Sequence, residues 1–84
     1  MIFNSQLVEK LRELGFHFDT SSKRAHTYKK KGATTRVTFN TRDQYEDRDA
    51  RSHVVQAGMN PADAQVWVTQ LSQANAAPPA PPAP

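Results

Sequence analysis

Between Lys23 and Arg42 the chain carries seven basic residues, Lys23, Arg24, Lys29, Lys30, Lys31, Arg36 and Arg42, and not one acid. Cations at that density, without carboxylates to answer them, suit a polyanion, and a phosphate backbone is the usual one. His26 lies in the same segment. A neutral imidazole among lysines and an arginine has the chemistry of metal-independent RNA cleavage: it takes the proton of a 2′-hydroxyl while the cations stabilise charge developing on the attacked phosphorus. The competing reading of His26 is a polar or half-buried strand residue. His17 is a lesser candidate. His53 is the least, because near the C-terminal end of a predicted helix a surface histidine is already explained by the helix dipole.

Other chemistries lack their residues. With no cysteine, disulfides, thiolate zinc sites and a thiol nucleophile are excluded. The three histidines are too dispersed for metal-ligand spacing, so neither metal nor cofactor is expected. No phosphate-cradling glycine loop, Ser-His-Asp order or paired-carboxylate motif occurs. The first residues have neither a basic start nor a long apolar run, and no stretch approaches the roughly 18 apolar residues of a membrane span, so a soluble, cytoplasmic protein is expected.

The elements that position the cations follow from periodicity. Leu7, Val8, Leu11 and Leu14 fall at helical spacing after a possible Asn4 or Ser5 cap, and Gly15 offers a left-handed stop, which predicts a helix over residues 5–14. Phe16-His17-Phe18-Asp19 alternates as a half-buried strand with both phenylalanines inward and His17 and Asp19 outward. Thr20-Ser21-Ser22 reads as a turn. Ala25 to Lys31 and Thr34 to Asn40 then form a hairpin through Lys31-Gly32-Ala33. Thr35, Val37 and Phe39 share one face of the second run, and Tyr28 is the large hydrophobe of the first. Thr27, Lys29, Lys31, Arg36, Thr38 and His17 are thereby left on an open, basic face. The alternation that turns Tyr28 inward turns His26 with it, so the two readings of His26 differ in the face it occupies.

Thr41-Arg42-Asp43-Gln44 matches a capping box, and a helix is predicted near Asp47 to Ala57, closed by Gly58. Asn60-Pro61-Ala62-Asp63 is a helix start with an Asn cap, proline at the first position and an acid near the positive end. Ala64, Trp67, Val68 and Leu71 form its apolar stripe to about Gln73, with Trp67 read as core. From Ala74 onward alanine and five of the six prolines dominate the 84-residue chain, so residues 1–73 form one domain and residues 74–84 a disordered tail. Charge divides along the chain as well: residues 1–42 carry +6 and residues 43–84 carry −3.

The order of these pieces, Leu11-Arg12-Glu13-Leu14-Gly15-Phe16, a histidine followed by an aromatic in the next strand, Gly32 at a hairpin, Arg36-Val37-Thr38-Phe39, then Arg51-Ser52-His53-Val54-Val55-Gln56-Ala57-Gly58-Met59, resembles the HicA family of small toxins. The resemblance covers roughly residues 6 to 66. It implies an α-β-β-β-α fold similar to a double-stranded RNA-binding domain, metal-independent mRNA cleavage, and a cognate antitoxin that occludes the basic face with acidic residues. In that family the catalytic histidine stands three residues before an aromatic. Here Ala25 holds that spacing from Tyr28, and His26 stands two before it.

Together these observations predict an α+β protein, α-β-β-β-α with a three-stranded antiparallel sheet, helices on one face and an extra C-terminal helix. The expected partner is RNA, bound through Lys23, Arg24, Lys29, Lys31 and Arg36, with His26 as the candidate base of an endoribonuclease. The alternative is a non-enzymatic regulator or phage-type inhibitor that docks on DNA or a host protein through the basic hairpin or the third helix.

Overall fold

A computed structural model describes residues 1–76, in the order β1 (Ile2–Phe3), α1 (Asn4–Glu13), β2 (His17–Ser22), β3 (Ala25–Lys29), β4 (Arg36–Asn40), β5 (Gln44–Tyr45), α2 (Asp47–Gln56) and α3 (Pro61–Ala76). Strands β2, β3 and β4 form an antiparallel sheet in that order, and β1 pairs with β5 in a separate two-residue ladder. The architecture is the expected α+β arrangement. Gln44 and Tyr45 pair with Phe3 and Ile2, so the capping-box match at Thr41 to Gln44 starts no helix there, and α2 begins at Asp47 as expected, with Glu46 as its cap residue.

Two glycines set where the first two helices stop. Gly15 and Gly58 have φ of +92° and +102°, which a side chain disfavours and glycine takes freely. Around each, two hydrogen bonds close the helix: Gly15 N–H to Arg12 O and Phe16 N–H to Leu11 O, then Gly58 N–H to Val55 O and Met59 N–H to Val54 O. This is the Schellman pattern, and it delivers Phe16 and Met59 back onto the apolar side of the helix each follows. At the start of α3 the Asn60 side chain accepts the N–H groups of Ala62 and Asp63.

Among the described residues thirteen apolar ones form the core, and no polar residue is buried with them. Tyr28, Val37 and Phe39 come from the inner face of the sheet, Leu7 and Leu11 from α1, Ala50 and Val54 from α2, and Ala64 and Val68 from α3. Trp67 is only half-buried at the rim, with the Lys10 ammonium 5.6 Å from its ring centre. Helix α3 runs three residues beyond its expected end. Asn75, assigned to the tail by composition, pairs side chain to side chain with Gln6 of α1 at 2.8 and 3.1 Å. The rest of the Ala/Pro stretch, residues 77–84, lies outside the described residues.

The β2–β3 hairpin departs from the simple alternation. Strand β2 continues through Ser22, and the turn falls on Lys23-Arg24, with Lys23 at φ +51°, the sign that two-residue hairpin turns demand. Register shifts by one between Phe18↔Tyr28 and Thr20↔Thr27, which makes Asp19 the extra residue of a β-bulge. Phe18, expected in the core, is 53% exposed: it faces the same side as Tyr28 but on the edge strand, beyond the cover of the helices. Phe16, not in a strand at all, is 2% exposed because the helix stop places it under α1. At the other hairpin Thr34 and Thr35 leave the ladder, so Lys31 belongs to a loop and not to the sheet face.

These positions separate two residues of one type. Phe16→Ala is expected to cost about 3–5 kcal/mol, enough to unfold most of a domain this small. Phe18→Thr gives up only ring contacts with Tyr28 and His26 and should cost at most about 1 kcal/mol. Urea unfolding of both variants checks the contrast.

Candidate nucleic-acid interface

Apart from Ala25, the outer face of the sheet is polar. Lys29 and Arg36 are direct cross-strand neighbours on β3 and β4, both exposed, and His17 is the partner of Lys29 on β2. One register step away the hydroxyls of Thr27 and Thr38 lie 2.9 Å apart. The bulge places the Asp19 carboxylate 3.2 Å from Lys29 Nζ and 3.7 Å from an Arg36 nitrogen, so one partly buried acid holds the two cations at the end of the β3–β4 ladder. Exposed pairs of this kind contribute about 0–1 kcal/mol to stability. Their larger effect is on charge, since this end of the face carries one net positive charge from the three groups where the two bases alone would carry two.

The remaining sequence-predicted cations lie at the ends of the hairpin. Lys23 and Arg24 form the β2–β3 turn, and Lys31 sits in the β3–β4 loop beyond the far end of β3. At about 3.3 Å per residue the two ends are about 20 Å apart. Lys30 is directed elsewhere: its side chain lies over Gly15, where an added Cβ would come within 3.0 Å of Lys30 Cε. The structure therefore makes Lys23, Arg24, Lys29, Lys31 and Arg36 a stripe along the hairpin, not a pocket. His26 is not among them. It shares the face of Tyr28, standing edge-on to Phe18 with ring centres 5.2 Å apart, on the side of the sheet opposite Lys29 and Arg36.

A second group of residues, unremarked by the sequence pattern, meets at the other edge of the sheet. Thr38, Phe39 and Asn40 of β4, Arg42, Tyr45, and Asp49 and His53 of α2 line an open cleft of about 310 Å³. The His53 ring rests against Phe39, 4.9 Å between centres and tilted by 32°, and burial holds its pKa below the ordinary value, an effect that Asp49 partly opposes. Tyr45 fixes the floor: its hydroxyl donates to Asn4 Oδ1 and accepts the Arg42 N–H, and burial raises its pKa. A helical wheel carries a sign of this site. Ala50, Val54 and Ala57 mark the buried stripe of α2, and His53 stands at its border, four residues after Asp49. Nothing in the linear sequence places Arg42 and the β4 edge opposite that border.

Among the described residues no three histidine, aspartate or glutamate side chains converge as metal ligands, and no helix is long and apolar enough to cross a membrane. Because folded His53 takes up a proton less readily than the unfolded chain, unfolding free energy should decrease as pH falls below about 6.5, with no contribution from this residue at higher pH. An NMR titration of the His53 ring should give a midpoint below that value, and His53→Phe should remove this part of the pH dependence of urea unfolding. No protein-family model, curated protein or solved structure matches this chain.

Proposed function

We propose that this protein binds RNA along the open face of its three-stranded sheet, reading backbone and shape more than base sequence. The observation that supports this is the spread of the cations: Lys23 and Arg24 at the β2–β3 turn, and Lys29, Arg36 and Lys31 at the opposite end of the sheet, exposed and about 20 Å apart, suit a polymer of phosphates and not a single anion. The face between them carries no phenylalanine, tyrosine or tryptophan and only the His17 ring among the described residues, which fits contact with backbone and 2′-hydroxyls better than base stacking. Asp19, paired with Lys29 and Arg36, weakens non-selective binding and hands both over to phosphate when a strand arrives. The HicA resemblance points to the same class of ligand. His26 faces the opposite side from Lys29 and Arg36, so the reading is of binding at this face, with no cleavage assigned to His26.

Fluorescence anisotropy with a short RNA duplex and the matching single strand tests it. Affinity should fall steeply between about 50 and 200 mM salt, and Lys29→Ala or Arg36→Ala should each lower the salt slope by about one. Asp19→Asn should tighten binding about two- to fivefold, because the cations no longer leave a carboxylate to meet phosphate. His26→Ala should leave affinity and RNA integrity unchanged. Absence of binding at the lowest salt, or indifference to salt, would sink the proposal.

A further inference from the structure

The cleft beside β4 combines groups that are already bonded, the Thr38 and Tyr45 hydroxyls, with others that are not. Among the described residues the side chains of Arg42, Asp49 and His53 make no hydrogen bond or ion pair, even though a cation and a carboxylate line the same space. The main chain adds to them. Thr41 N–H donates to Arg24 O, so in the alternating antiparallel ladder Thr41, Phe39 and Val37 face β3, while Asn40, Thr38 and Arg36 turn their peptide groups to the free edge. Gln56 reaches across from α2 to the Arg36 carbonyl, which confirms the direction and closes that end. What stays open is the short edge from Thr38 to Asn40, facing His53 and Asp49.

We propose that this cleft binds a single nucleotide, with the base lying against the His53 ring, its hydrogen-bonding edge on Asp49 and the β4 main chain, and its phosphate on Arg42. The volume stands at the lower end of that of small-ligand sites. The His53 imidazole, backed by Phe39, is a flat aromatic surface with one donor and one acceptor. The separation of the charges is informative: Arg42 suits the anionic end of a ligand and Asp49 the donor-bearing end. A carboxylate accepts two parallel N–H bonds, and guanine offers two side by side, N1–H and N2–H. Uracil offers one, flanked by carbonyl oxygens that the carboxylate repels. Guanine is therefore the favoured base, adenine and cytosine are intermediate, and uracil is the worst. The exposed β4 edge is too short, between the Gln56 contact and Arg42, to seat an added strand.

This inference stands on the cleft alone and not on RNA binding by the sheet. The full chain is titrated with each of the four ribonucleoside 5′-monophosphates while the His53 ring signals and the Thr38 and Asn40 amides are followed by NMR. Guanosine monophosphate should move all three sets and bind most tightly, and uridine monophosphate should bind most weakly. Arg42→Ala should weaken all four nucleotides about tenfold alike, and Asp49→Asn should cost guanine about tenfold and erase the ranking. Both substituted residues reach solvent, and unchanged amide spectra elsewhere will show that the variants fold. The Lys29→Ala, Arg36→Ala double variant should bind guanosine monophosphate normally, which separates failure of this site from failure of the sheet-face proposal. An RNA oligomer with one guanine among uracils, compared with an all-uracil strand, tells whether the nucleotide is also taken from a polymer. The proposal is overturned if guanosine monophosphate leaves His53 unmoved, if the four nucleotides bind alike, or if β4 amides respond while the His53 ring does not.

Discussion

Tyr28, Val37 and Phe39 turn to one side of the sheet and meet Leu7, Leu11, Val54 and Val68 from the three helices, and most of the large apolar residues gather on that side. A domain of this size buries only about 60% of its chain surface, so it can cover one face of a three-stranded sheet but not two. The other face has to remain in water. Its threonines, Lys29, Arg36 and Asp19 are what a solvated sheet face requires, and the two bases, partly offset by Asp19, give that face its positive charge. One-sided coverage thus produces both the stability of the fold and the surface available for a ligand.

Coverage is uneven within the buried side as well. Aromatic contacts run across the strands from Phe18 through Tyr28 to Phe39 and on to Tyr45 and His53, yet the two ends of this row differ. At the β4 end α2 lies over it and burial keeps His53 neutral near pH 7. At the β2 end the cover is thinner among the described residues, and Phe18 and His26 stand in partial contact with solvent. Two histidines of the same inner surface therefore have different surroundings, decided by where a helix ends.

Charge is arranged on the same principle. The bulge in β2 adds one residue, and that residue is the acid that reaches Lys29 and Arg36. An opposing carboxylate among cations lowers affinity for any anion, and it favours ligands with several phosphates in line over isolated ones. At the neighbouring edge the pattern reverses: Arg42 and Asp49 share a cleft without pairing, an arrangement suited to a ligand that carries both an acceptor-rich and a donor-rich end.

Much of this was legible in the residues. Helical spacing in Leu7, Leu11 and Leu14, glycines at 15 and 58, the Asn60-Pro61 start and the alternation of Val37 and Phe39 with Arg36 and Thr38 are local signals, and local physics determines them. They define the α+β order, the basic outer face and the inward turn of His26 with Tyr28. What tertiary structure alone decided depends on contacts far apart in the chain. Whether Phe18 is buried depends on how far the helices extend over an edge strand, whether Asp19 neutralises the cations depends on a register shift, and whether Asn75 is tail or helix depends on Gln6. His53 is the clearest case: its own sequence neighbours make it a surface helix residue, and only the packing of α2 along β4 brings Arg42, Asn40 and Asp49 around it. Alternation and spacing are properties of adjacent residues, whereas a cleft is formed by the space that separate elements leave between them.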